Sequence, residues 1–216
     1  MGAIRAMGLF ELNSGHLAAR VPGGGGYLVP RHLHGERGLG SLDSLTEADL
    51  VEVSLETGAW ASGAEPPEEV HLHTEILRAR PDVGAVVHCH PEAPVALSVA
   101  DREVVAVHHH GALFDPGVPI YPEHHQISTP ERGRALAAAL GDRWAIVLRA
   151  HGAVAVGRDV KEAVAVMFTL DQCARRQLLA AQAGTPRPIE VPEGARRSLS
   201  ENSIRNIWFT YAPARG

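Results

Sequence analysis

Short apolar runs bounded by breakers alternate with segments of helical length along most of this chain. That alternation restricts it to a layered α/β fold in which helices cover a sheet. The clearest run is GAVVHCH (84–90), β-branched and ended by a polar tip, with a helix expected from Pro91 to Val99. Further strands are expected at EVVAVHHH (103–110), WAIVLRA (144–150) and AVAVG (153–157), with a Gly/Pro-rich loop from Gly111 to Pro122 and a helix near 130–140. From Val160 to about Ala183 an apolar-periodic pattern rich in Ala, Leu and Val ends at Gly184 and Pro186, which predicts the longest helix. The tail from Ser198 to Tyr211 spaces Ile204, Ile207, Trp208 and Phe209 for a second amphipathic helix.

The first third reads as short strands and turns. HLAARV (16–21), a Gly-rich turn (23–26) and YLVP (27–30) suggest a hairpin. Residues 31–43 are polar and Gly-punctuated, as expected of a loop that reaches over a site. Ser44 or Thr46 caps a short helical turn through Glu47 and Asp49, ahead of the strand LVEVSL (50–55) and the turn ETG. Pro66 and Pro67 suit the first turn of a helix from about Glu68 to Arg80, which stops at Pro81.

A chain of 216 residues, 45% apolar and 21% charged, has the makings of one substantial core, so a single domain over 1–216 is expected. The net charge of −5, without any Lys/Arg run, argues against a nucleic-acid partner. No apolar run approaches the roughly 18 residues that span a bilayer, and the N-terminus lacks the layout of a secretory signal. A cytoplasmic protein with a small-molecule partner is the expectation. Cys89 and Cys173, far apart and outside any CxxC spacing, read as reduced structural thiols.

Histidine is the anomaly, with 13 copies, most of them between His71 and His125. In a strand ending His88-Cys89-His90 the two imidazoles share a face about 7 Å apart at their Cα atoms, and Cys89 points the other way. His151 lies between two strands and is followed by Gly152, where backbone approaches closely. Three neutral nitrogens leave open positions on a divalent ion, the pattern of a catalytic rather than a structural site. Glu69 stands in the first turn of the helix before the HxH strand. The helix terminus favours its ionised form and an apolar pocket would raise its pKa toward the range of proton transfer. Local sequence places Glu68 equally well.

The strings PPEEVHLHTEILRARPDVGAVVHCHP and RAHGAVAVGRDVKEAVAVMFTLDQCA together resemble the class II aldolase/adducin family, over roughly residues 8 to 185 with gaps. The resemblance implies a three-layer αβα sandwich around a mainly antiparallel central sheet, where alternation alone suggests a parallel or mixed one. It also implies a homotetramer with sites at subunit interfaces, the tail 187–216 packing on the domain or on a neighbour. By position, His88, His90 and His151 match the family's metal ligands and Glu69 its acid/base. Metal-free adducin-like members lose those histidines. Coordination chemistry favours Zn2+, with Mn2+ and Fe2+ also compatible.

His16 and Pro67-Glu68 stand where phosphate-binding members carry an Asn and a Ser-Ser pair. A carboxylate repels a phosphate dianion and proline lacks an N–H. The GH of NSGHLAARV, the loop PRHLHG, and ERGRALAAALGDRWAIVLRAHGAVAVG are more similar to members acting on unphosphorylated acids, including decarboxylases of aromatic hydroxy-dicarboxylates. In that reading Arg31, with His16 and His34 nearby, receives a substrate carboxylate. The run His108–His110 contributes a wall residue, His109, and not all three, since strand alternation turns His109 away from His108 and His110. The resemblance thus implies a carbon–carbon lyase, aldolase or decarboxylase, working through a metal-stabilised enolate on a small hydroxy or keto acid. The alternatives are a sugar-phosphate aldolase, epimerase or dehydratase, an Fe(II)-dependent oxygenase, and a non-catalytic adducin-like module.

Overall fold

The structure is a computed structural model that describes residues 2–9, 15–32, 45–61, 63, 65–192 and 199–212. The strands are β1 (Gly15–Arg20), β2 (Gly26–Pro30), β3 (Leu50–Ser54), β4 (Ala85–Cys89), β5 (Ile120–Tyr121), β6 (Ala145–Leu148) and β7 (Gly152–Gly157). The α-helices are α1 (Gly2–Ala6), α2 (Val70–Ala79), α3 (Glu92–Val99), α4 (Pro130–Leu140), α5 (Val160–Ala183) and α6 (Glu201–Tyr211). Short 3-10 turns occupy Glu47–Asp49 and His109–Phe114.

All seven strands form one sheet in the order β3-β2-β1-β4-β7-β6-β5. Each neighbouring pair is antiparallel except β5 with β6. The parallel arrangement suggested by alternation holds only where α4 connects the neighbours β5 and β6; α2 and α3 join strands that are not adjacent in the sheet. Only a tight turn, residues 149–151, separates β6 from β7, too short for a parallel crossover. β4 lies between β1 and β7, strands far from it in sequence.

Alternation along β4 explains the three layers. Ala85, Val87 and Cys89 enter a core shared with α3 and with Ala163, Val164, Met167 and Leu170 of α5. Val86 enters the opposite core, where Leu72, Ile76 and Leu77 of α2 meet Leu136 and Leu140 of α4. Each fully buried Val, Leu, Ile or Met side chain among them contributes about 1.5–3 kcal/mol by leaving water. The long helix begins where Asp159 accepts the Glu162 N–H and ends at Gly184, as its pattern predicts. The tail forms α6, which lies on α5 and α1 with the Tyr211 ring 5.1 Å from that of Phe168. Among the described residues no helix is long and apolar enough to cross a membrane.

The expected strand EVVAVHHH does not form. Val104 makes only an isolated bridge to Val118, and the chain then winds into the turn His109–Phe114. A helix side chain takes the place of a strand neighbour here. Gln177 of α5 accepts the Val105 N–H at 3.1 Å and donates to the Glu103 carbonyl at 3.0 Å. The edge of the sheet goes instead to Ile120–Tyr121, two residues inside the expected Gly/Pro loop. Thr46 opens the turn at Glu47–Asp49, its N–H and hydroxyl both bonded to the Asp49 carboxylate. Ser44, His34 and most of the loop 31–43 lie outside the described residues.

Candidate active site

Strand register assembles the first half of the site. His16 of β1 is the direct partner of His88 in β4, so the two side chains share one face, the face covered by α2. Cys89 goes to the opposite core, free and buried like Cys173. α2 supplies the carboxylate: Glu69 is its N-cap residue and is buried, whereas Glu68 is exposed. Of the two, only Glu69 is buried beside the histidines. Its Oε1 accepts the Ile127 N–H at 2.9 Å. Its Oε2 lies 3.3 Å from His88 Nε2, 3.7 Å from His151 Nε2 and 3.8 Å from His16 Nε2.

The three expected ligands converge. Donor atoms of His88, His90 and His151 all lie within 4.8 Å of one another. His88 Nε2 and His90 Nε2 are 3.2 Å apart, close to the separation of about 3.3 Å for two nitrogens at the usual 2.0–2.1 Å from a tetrahedral zinc. His88 Nδ1 lies 3.1 Å from the Ala153 carbonyl, which can only accept, so this ring donates from Nδ1 and keeps its lone pair on Nε2, facing the cluster. His151 Nδ1 is buried without a hydrogen-bond partner among the described residues. The His88 lone pair thus faces the cluster, and three imidazoles beside a buried carboxylate are a donor set that fits a divalent cation.

Electrostatics suit a set of histidine ligands but overturn the expectation of a raised Glu69 pKa. Burial pushes the Glu69 carboxyl up, but the His88 and His16 rings around it outweigh burial and hold it well below the usual carboxylate range. Burial pushes His90 down to about 3, and lowers His16, His73 and His151 as well. With lowered values these rings take up protons at lower pH in the fold than in the unfolded chain, whose histidines protonate around pH 6.5. The metal-free protein is therefore expected to lose stability as pH falls below 6.5, by about 1.4 kcal/mol per histidine proton per pH unit. Glu69, depressed in the fold, adds to the loss only at lower pH. Urea midpoints across this interval check it; a flat profile would mean that the rings are charged in the native state.

Gly152 is a requirement of this geometry. It begins β7, and a Cβ there would lie 2.6 Å from His90 Cδ2, 2.8 Å from the Cys89 carbonyl oxygen and 3.0 Å from His88 Cε1. Gly152→Ala is expected to displace both rings, weakening metal binding and costing about 1–3 kcal/mol of stability as overpacking does. Calorimetric metal titration and thermal melts of the variant would show both losses together. The neighbouring Ala150 holds the left-handed conformation, φ 54°, that turns the chain so that His151 faces the cluster.

The substrate-binding expectations are less uniformly gathered. His16 is inside the cluster. Arg31 follows β2, and continuing the β1–β2 register by Leu28↔Ala19 sets it opposite His16 at the same sheet end. Its Nε donates to Asp49 at 3.0 Å. His109 is exposed, its ring 5.4 Å from that of His110, and it lies in the 3-10 turn, so the strand alternation that assigned its direction does not apply. Sequence reading missed His73. It lies four residues after Glu69 on α2, hence on the same helix face, and its Nε2 is 2.6 Å from His16 Nδ1. That i, i+4 spacing was the available signal.

Comparison with known proteins points the same way. The chain is 38% identical over 160 residues to a 3,4-dihydroxyphthalate decarboxylase of Terrabacter sp. (strain DBF63), a match covering 69% of this chain and 65% of that protein's length. It is 34% identical over 213 residues to a 3,4-dihydroxyphthalate decarboxylase of Arthrobacter keyseri, covering 93% of this chain and 79% of the relative. The crystal structure of L-fuculose-1-phosphate aldolase from Thermus thermophilus superposes with a TM-score of 0.71 at 30% identity, covering 88% of this chain and 94% of that one. Residues 3–178, which carry the whole sheet and all the clustered side chains, match the Class II Aldolase and Adducin N-terminal domain, and the chain belongs to that family.

Proposed function

We propose that this protein is a divalent-metal-dependent carbon–carbon lyase, an aldolase or decarboxylase, acting on a small unphosphorylated hydroxy or keto acid. The observation that carries the reading is the meeting of His88, His90 and His151, from two distant segments, with the buried carboxylate of Glu69. Those three imidazoles would hold the ion, for which zinc is the best match to the donor set and Mn2+ or Fe2+ the substitutes. When bound, the ion supplies a Lewis acid beside the bond that breaks.

The chain's own residues handle the proton. In aldol cleavage Glu69, ionised at rest, takes the substrate hydroxyl proton as the bond breaks and returns it to the carbon that keeps the electron pair. In decarboxylation it delivers a solvent proton to that carbon as carbon dioxide leaves. In this reading Arg31, held through its Nε by Asp49, receives a substrate carboxylate with His16 across the sheet from it, while His34 and His109 stay in the binding set on the family resemblance alone. Three features support a carboxylate over a phosphate: His16 beside Glu69, Pro67 without an N–H, and the exposed charge of Glu68. The names of the decarboxylase relatives agree. A homotetramer with sites at subunit boundaries belongs to the same reading.

The test is an assay of the metal-loaded protein against hydroxy-dicarboxylates, hydroxyaldehyde pairs and sugar phosphates, following carbon dioxide and aldehyde release. Metal-dependent release from an unphosphorylated acid is the expected result. Equal turnover after chelation, or a preference for the sugar phosphates, would overturn the reading.

A further inference from the structure

Behind the cluster lies a histidine that the mechanism above does not use. His73 is fully buried on α2, its Nε2 is 2.6 Å from His16 Nδ1, and its Nδ1 is buried with no hydrogen-bond partner among the described residues. We propose that His73 is a positioning residue that fixes the tautomer of His16, so that His16 presents an Nε2–H to the site as a neutral hydrogen-bond donor for a substrate oxygen.

Proton accounting at both ends of the pair selects this arrangement. A neutral imidazole carries one N–H and one lone pair, and two ring nitrogens in contact share one hydrogen. If His16 donated from Nδ1, His73 would have to carry its own hydrogen on Nδ1, as a buried N–H without an acceptor. Orphaned buried N–H groups are rare because each forfeits its full hydration. If His73 donates from Nε2 instead, its orphan is only a lone pair, and His16 carries its hydrogen on Nε2. That nitrogen faces Glu69 Oε2 at 3.8 Å. The ionised carboxylate then meets an N–H, whereas the other tautomer would turn a lone pair toward a negative charge. Both ends therefore favour the same tautomer.

Two consequences follow. At 3.8 Å the His16 N–H is too far from Glu69 to be spent on it, and it stays available to an oxygen entering beside that carboxylate. The tautomer also decides between two overlapping ligand sets, His88–His90–His151 and His16–Glu69–His88. With hydrogen on Nε2 and Nδ1 engaged by His73, His16 has no lone pair for a cation, which leaves the first set.

The tautomer itself is independent of the lyase reading; its effect on turnover rests on that reading. Long-range 1H–15N spectra of the 15N-histidine-labelled metal-free protein, assigned with His16→Gln and His73→Gln, should show Nε2–H on both rings. A His16 ring protonated at Nδ1, or averaging between tautomers, overturns the proposal whatever the activity. Once a substrate is in hand, His73→Leu should lower kcat by about 10- to 100-fold, the range for partners that orient a functional histidine, at unchanged metal content. His73→Gln, whose amide N–H reaches the place of Nε2, should restore most of it. Equal loss in the two variants refutes donation from His73, and the spectra with His73→Gln still decide if His73→Leu fails to fold.

Discussion

Glu69→Gln is expected to bind a divalent ion as the natural chain does while turning over about 10²- to 10⁴-fold more slowly, the usual worth of a positioned acid/base group. The amide keeps the shape of the carboxylate, and its oxygen can still accept the Ile127 N–H. What it loses is the ability to take a proton. Metal per subunit by mass spectrometry, measured beside kcat, separates the roles. Full activity would remove Glu69 as the proton carrier, and loss of metal at this substitution would make it a ligand instead, since Oε2 is only 3.3 Å from His88 Nε2.

His90→Ala has the opposite signature. Removing one of three imidazoles, whose Nε2 sits 3.2 Å from that of His88, should cut metal affinity by more than the roughly 100-fold that changes to supporting partners alone can reach. Activity should fall with it, because both depend on the same bond. Calorimetric titration with zinc checks the first and the lyase assay the second. A variant that retained the parent's affinity would mean that the ion binds through other groups, and the cluster would lose its assigned purpose. Because burial pushes His90 down to about 3, the ring is neutral and ready to ligate throughout the neutral range, so the loss should show little pH dependence above 6.5.

The chain's local patterns made much of this legible. The HxH spacing at a strand end put His88 and His90 on one face and Cys89 on the other, and Cys89 does enter the opposite core. Caps and breakers located α4, α5 and α6 closely, because periodic burial and the φ demands of Gly and Pro act within a few residues. The expected strand EVVAVHHH failed for the complementary reason. Its residues have strand propensity, but Gln177, 72 residues from Val105 along the chain, occupies the backbone groups that a neighbouring strand would need. Glu68 and Glu69 are indistinguishable by composition and position in a first turn, and only the packing of α2 on the sheet buries one and exposes the other.

By itself the sequence determined most of the strands and the longer helices, the layered class of the fold, and the residue types able to hold a cation, since all of these rest on short-range periodicity and side-chain chemistry. Tertiary structure alone decided the antiparallel strand order, the choice of Glu69, the approach of Gly152 beneath two rings and the contact of His73 with His16. Those are contacts between residues distant in the chain, whose energies depend on register and packing across elements, and no local pattern carries that information.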